Sequence, residues 1–134
     1  MHEHERWLKI VKEDIAAAKA LLKIELFSSV AYHSQQAAEK SLKAFLVFKN
    51  QPILKTHDLL KLLRLCIAID SDFQKQFDAA DYVNPFSTKF RYPDEYNTLD
   101  LEEAKLAIKH AQNITKFVIK KISTHNTESQ KNIF

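Results

Sequence analysis

No glycine occurs anywhere in this chain. That absence excludes the phosphate-cradling P-loop and the dinucleotide-binding turn, both of which use glycine to bring backbone close to phosphate. Contact with a nucleotide must therefore come from side chains. The same absence weighs against sheet-rich folds, because tight hairpins need residues with positive φ and glycine adopts that conformation at least cost. Cysteine is nearly absent too: Cys66 stands alone within the apolar run Leu65 to Ile69. This excludes an intrachain disulfide and a thiolate metal cluster, and predicts a protonated core thiol in a reduced, cytoplasmic setting. No apolar stretch approaches the roughly 18 residues of a membrane span, so neither export nor membrane insertion is expected. A strong excess of one charge is also lacking. Twenty Lys and Arg against seventeen Asp and Glu give a net charge of +3, compatible with RNA, a nucleotide or an acidic partner, and no feature is specific to DNA.

What is present is amphipathic helix. At 134 residues, with 46% hydrophobic residues, the chain suits one globular unit with a real core. We expect this domain to occupy residues 1–123 and a polar, disordered tail to follow over 124–134. Leu8, Val11, Ile15, Ala18 and Leu22 recur at helical spacing and predict a first helix over about 3–24. A second, capped by Ser28 or Ser29, is expected to run to Lys49, where Asn50-Gln51-Pro52 stops it. Thr56 is expected to cap a third, with Asp58 in its first turn. A shorter helix over 72–83 would put Phe73, Phe77 and Ala80 on one face. The last begins near Thr98 or Asp100, carries Leu101, Ala104, Ile108, Ala111, Val118 and Ile122, and is expected to end near Ser123. The fold class is thus all-α: an up-and-down bundle of four main helices plus a short fifth, with Leu8, Val11, Ile15, Ala37, Phe45, Leu62, Ile108, Ala111 and Val118 in its core.

Two regions hold residues suited to chemistry. On the second helix His33, Gln36, Lys40 and Lys43 fall within about 80° of one another, beside a face of small residues that includes Ser34, Ala37, Ala38 and Ser41. The polar stripe either offers donors to a phosphate or acidic ligand, or consists of solvated lysines and a bundle hydrogen bond. The stretch from Asn84 to Leu99 is aromatic and holds two prolines; Pro93 stiffens Tyr92, so Arg91 and Tyr92 are displayed from extended backbone. Arg91 there either binds phosphate or pairs with Asp94 or Glu95. His57 cannot be oriented by its neighbour Asp58, because adjacent helical residues point about 100° apart. His2 and His4 lack a third ligand at suitable spacing, so no metal and no cofactor are assigned.

The run Ala31-Tyr32-His33-Ser34-Gln35-Gln36-Ala37-Ala38-Glu39-Lys40-Ser41-Leu42-Lys43-Ala44-Phe45-Leu46, followed by Lys55-Thr56-His57-Asp58-Leu59 and by Phe90-Arg91-Tyr92-Pro93-Asp94, resembles the HEPN domain family. The resemblance implies a helical bundle that forms a homodimer, works beside a small nucleotidyltransferase, and in many members is the toxin half of a toxin–antitoxin pair. Toxins of the family are metal-independent ribonucleases whose signature is an Arg followed, after four to six residues, by a His. Here the arginines are Arg6, Arg64 and Arg91, and positions 11–13, 69–71 and 96–98 hold no histidine. At Arg91 the corresponding place is taken by Tyr96, a phenol whose reference pKa near 10 makes it a poor base at neutral pH. The resemblance therefore implies nucleotide or RNA binding by His33, Gln36, Lys40, Lys43, Arg91 and Tyr92 rather than catalysis by the usual route. The alternatives are a ribonuclease using Arg91 with Tyr96 or His57, and a structural dimer or adaptor.

Overall fold

The computed structural model describes residues 1–89 and 98–133, with the side chains of the final helix described to Thr124. Its helices are α1 (Glu3–Lys23), α2 (Phe27–Phe48), α3 (Leu59–Ile69), α4 (Phe77–Val83) and α5 (Leu101–Ile133), with 3₁₀ turns at Ser71–Gln76 and Asn84–Ser87. No strand occurs among the described residues, and the all-α bundle of four main helices and a short fifth stands.

α2 is the axis of the molecule. Ala37 packs with Val11 and Ala111, Val30 with Ala18, Ala104 and Ile108, and Ser41 bonds Thr115 at 3.0 Å. Ascending positions on α2 thus meet ascending positions on α5 and descending ones on α1, so α5 lies parallel to α2 and α1 antiparallel to both. Small residues make this possible. Ser34, Ala37, Ala38, Ser41 and Ala44 on α2 and Ala104, Ala107 and Ala111 on α5 are all buried, and such short side chains let the backbones approach closely. The largest cluster gathers Leu42, Phe45, Leu59, Leu62, Leu63, Cys66, Phe73, Val83, Ile114 and Val118 beneath α3 and α4. Burial pushes the Cys66 thiol up to about 12, which keeps it a protonated core residue.

The helix ends show how a chain without glycine turns. After α1, Leu26 N–H donates to Leu21 O at 3.1 Å and Glu25 N–H to Leu22 O at 3.1 Å. After α2, Gln51 N–H donates to Leu46 O and Asn50 N–H to Val47 O, both at 2.9 Å. Both are Schellman motifs, whose left-handed position usually falls to glycine; here Glu25 (φ 61°) and Asn50 (φ 58°) occupy it.

Several boundaries differ from expectation. The Schellman turn at Glu25 feeds directly into α2, which starts at Phe27 with no side-chain cap from Ser28 or Ser29. Asp58, not Thr56, caps α3: its carboxylate accepts from Leu60 N–H at 3.0 Å and Lys61 N–H at 3.3 Å, and a charged acceptor is the stronger cap. Thr56 instead accepts from Asp58 N–H at 3.1 Å. Phe77 is 42% exposed because Ser71–Gln76 is a 3₁₀ turn, and at three residues per turn Phe77 rotates off the face of Phe73. Leu8 and Ile15 are half-buried and Leu101 is exposed, whereas the other expected core residues are buried. Asp100 opens α5 in a capping box, accepting from Glu103 N–H at 2.8 Å while Glu103 Oε1 accepts from Asp100 N–H at 3.3 Å. The helix continues past Ser123 to Ile133, since no proline or glycine interrupts it.

Candidate functional site

The polar stripe of α2 is largely covered. Gln36 and Lys43 are buried, while His33 and Lys40 are half-buried. Two carboxylates absent from the expected set organise it. Asp14 of α1 accepts from His33 Nδ1 at 2.9 Å and from Lys40 Nζ at 2.8 Å, bridging the helix hairpin. Glu39, 3% exposed, accepts from Lys43 Nζ at 3.0 Å, from His57 Nδ1 at 2.8 Å and from Gln35 Nε2 at 3.2 Å. Gln35 is wholly buried and fully used: Nε2 also donates to the His57 carbonyl at 3.2 Å, and Oε1 accepts from Gln36 Nε2 at 2.6 Å. Among the described residues no buried side-chain polar atom is left without a partner, so the network is closed inward.

It opens outward at one residue. The His57 side chain is 61% exposed while Glu39 beneath it is 4% exposed. A carboxylate only accepts, so the ring nitrogen facing Glu39 carries the proton, and Nε2 of the neutral ring is left as an acceptor turned toward solvent. Residue 57 is held twice, by its ring through Glu39 and by its carbonyl through Gln35. Asp58 plays no part in orienting it, in keeping with the angular argument from sequence. Asn84 Oδ1 accepts from Leu59 N–H at 2.8 Å, tying the turn that leads to Lys89 against the start of α3. Arg91, Tyr92 and Tyr96 lie outside the described residues.

The structure thus brings together Gln36, Lys43 and His57 in one network around Glu39, and His33 with Lys40 around Asp14. Both lysines are paired with carboxylates, and Lys43 also lies over the Trp7 ring at 5.9 Å. In this arrangement they orient neighbours as much as they present charge. Two signals in the sequence point to the missed carboxylates. Asp14 interrupts the apolar stripe of Val11, Ile15 and Ala18, where a charge requires a partner. Gln35, Glu39 and Lys43 are spaced by four, so one face of α2 stacks them. No three His, Cys, Asp or Glu side chains among the described residues converge to hold a metal. No helix among them is long and apolar enough to cross a membrane.

Known proteins share this fold. A Methanocaldococcus jannaschii protein named "Putative toxin MJ1304" is 29% identical over 131 residues, covering 84% of this chain and 83% of that protein. The crystal structure of TT1696 from Thermus thermophilus superposes with a TM-score of 0.74 at 25% identity, covering 90% of this chain and 99% of that one. The structure of ST0689, described as an archaeal HEPN homologue, gives a TM-score of 0.74 at 24% identity, over 91% of this chain and 99% of that one. The model of the HEPN domain matches residues 4–122, a span that takes in every element from α1 through most of α5, and this chain therefore belongs to the HEPN domain family.

Proposed function

We propose that this chain is the toxin-type member of a toxin–antitoxin pair, that it engages RNA or a nucleotide as a homodimer, and that its counterpart is a small nucleotidyltransferase. The relative named as a toxin supports the first element. The observation that carries the binding reading is the exposed His57 ring on a buried Glu39, a fixed polar contact at the surface end of an otherwise closed network. A donor on the nucleotide, a base N–H or a ribose hydroxyl, is bound better by a pre-oriented acceptor, because less freedom is lost on binding. Titration of the full chain with a fluorescent single-stranded RNA and with ATP tests this. His57→Ala should weaken binding about fivefold, the loss of one hydrogen bond; unchanged binding refutes the role of His57. Sedimentation equilibrium at tens of micromolar should report a dimer.

A ribonuclease reading is favoured by the same geometry. An imidazole whose Nδ1–H is held by a carboxylate has Nε2 poised to accept a proton. In cleavage His57 would take the proton of a 2′-hydroxyl, the 2′-oxygen would bond to the adjacent phosphorus, and the 5′-oxygen would leave and take a proton from water, yielding a cyclic phosphate. Chelator-resistant cleavage lost in His57→Ala and reduced in Glu39→Gln would establish this reading over binding alone. Cleavage insensitive to His57→Ala would exclude it.

A further inference from the structure

An open groove of about 480 Å³ lies between α5, α4 and the 3₁₀ turn before α4. Lys75 stands on one side and Lys116 and Lys120 on the other, with Ala79 and Phe117 also lining the groove. Charge is sharply segregated here. From Leu106 to Thr124 α5 carries Lys109, His110, Lys116, Lys120 and Lys121 and no carboxylate. At 100° per residue Lys109, Asn113, Lys116 and Lys120 fall within about 60° of one another, a line of donors roughly 16 Å long. Lys121 is excluded from this line because Asp70 and Asp72 hold it at 2.8 and 2.7 Å. Among the described residues Lys75, Lys116 and Lys120 make no ion pair within bonding distance. Asp78 is the one carboxylate lining the groove, leaving three lysines against one aspartate.

We infer that this groove is a binding track for the phosphodiester backbone of single-stranded RNA. The inference rests on the reading above that RNA is a ligand, and adds to the His57 site a second, sequence-independent surface. The shape decides against a compact anion: the cations stand along two walls of an open groove, whereas a small phosphate is held by converging donors in a closed cradle. A repeating polyanion satisfies a row of cations one helical turn apart and releases counterions as it binds. The lining also interleaves Phe117 with the lysines and with the amides of Gln76 and Asn113, as suits a chain carrying bases alongside its charge. His110, whose pKa is lowered by burial and by Lys109 against an opposing effect of Asp78, adds a neutral ring to the same wall at pH 7.

The test is fluorescence anisotropy of the full-length protein with a labelled 20-nucleotide single-stranded RNA of mixed sequence, between 50 and 300 mM salt. The variants are Lys116→Gln/Lys120→Gln, a control pair on exposed α1 positions, Lys9→Gln/Lys12→Gln, and His57→Ala. Neutralising two phosphate contacts should flatten the slope of log K against log salt by about 1.4, which is about 25-fold in affinity at 0.1 M if the curves meet near 1 M. The control pair should change neither. A groove variant that binds like wild type, with unchanged slope, overturns the groove while leaving the His57 reading standing. Loss in the groove variant without loss in His57→Ala supports the groove and refutes His57. Absence of RNA binding by wild type overturns both, and equal affinity for polyglutamate overturns the assignment to RNA. Unchanged circular dichroism and melting of the groove variant confirm that folding is not the cause, as expected for exposed lysines.

Discussion

Replacing Glu39 by alanine is the most severe test of the network described here. The carboxylate is 3% exposed and accepts from three groups, and the Lys43 ammonium it pairs with is itself 9% exposed at the side chain. Truncation leaves that ammonium buried with no counter-charge, and removing one partner of a buried ion pair costs about 3–5 kcal/mol. Loss of the Gln35 and His57 contacts acts in the same direction. Against a domain stability of about 5–15 kcal/mol, this is a third or more of the total for most of that range. With a urea slope of about 2 kcal/mol per molar, the unfolding midpoint should fall by about 1.5–2.5 M. Circular dichroism at 222 nm through a urea titration reads it directly. The double variant Glu39→Ala/Lys43→Met removes both charges, and it should recover at least half of the loss because no unpaired ammonium remains. A Glu39→Ala cost under about 1 kcal/mol would refute the claim that the pair is buried and coupled. A double variant no more stable than the single would show that the orphaned lysine is not the source of the penalty.

Glu25 holds a left-handed conformation that costs a side-chain-bearing residue about 1–2 kcal/mol. Glu25→Gly should therefore raise thermal stability by about 0.5–1 kcal/mol despite the flexibility glycine adds to the unfolded chain, and an unchanged or lower melting temperature would contradict it. The fold lowers the pKa of His110 through burial, then through Lys109, so the unfolded chain takes up this proton first as pH falls. Stability contributed by the neutral ring is complete above about pH 6.5 and declines below it. His4 is lowered as well, by burial more than by His2 and against Glu5, and acts in the same sense. Urea midpoints at pH 7.5 and 5.5 should thus differ less in His110→Gln than in wild type, and identical differences would refute the assignment. The Cys66 thiol, raised to about 12 by burial, should resist Ellman's reagent in the native protein and react once per chain on unfolding. Rapid labelling of the folded state would place it outside the core.

Local physics made most of the helices legible. The three-and-four spacing of Leu8, Val11 and Ala18 marks α1 whatever it packs against, and the lack of glycine made a helical answer the economical one. That some helix packs closely on α2 was readable from the small residues Ser34, Ala37 and Ser41; that α5 is that helix was decided by the packing. Cap chemistry was half legible: Asp58 and Thr56 both suit a helix start, and in the structure the carboxylate caps α3 while the Thr56 hydroxyl accepts from Asp58 N–H. The site depended on what lies across from each residue. Lys40 and Lys43 look alike on a helical wheel, yet α1 supplies Asp14 to the first, and Glu39 neutralises the second beneath the segment that carries His57. His57 appeared idle beside Asp58 because the carboxylate that holds it stands eighteen positions earlier. Sequence spacing determines which side chains share a helix face, as Glu39 and Lys43 do; pairing across elements, of Asp14 with Lys40 and of Glu39 with His57, is fixed by the packing of α1, α2 and the chain entering α3, because a buried charge is stable only beside a partner.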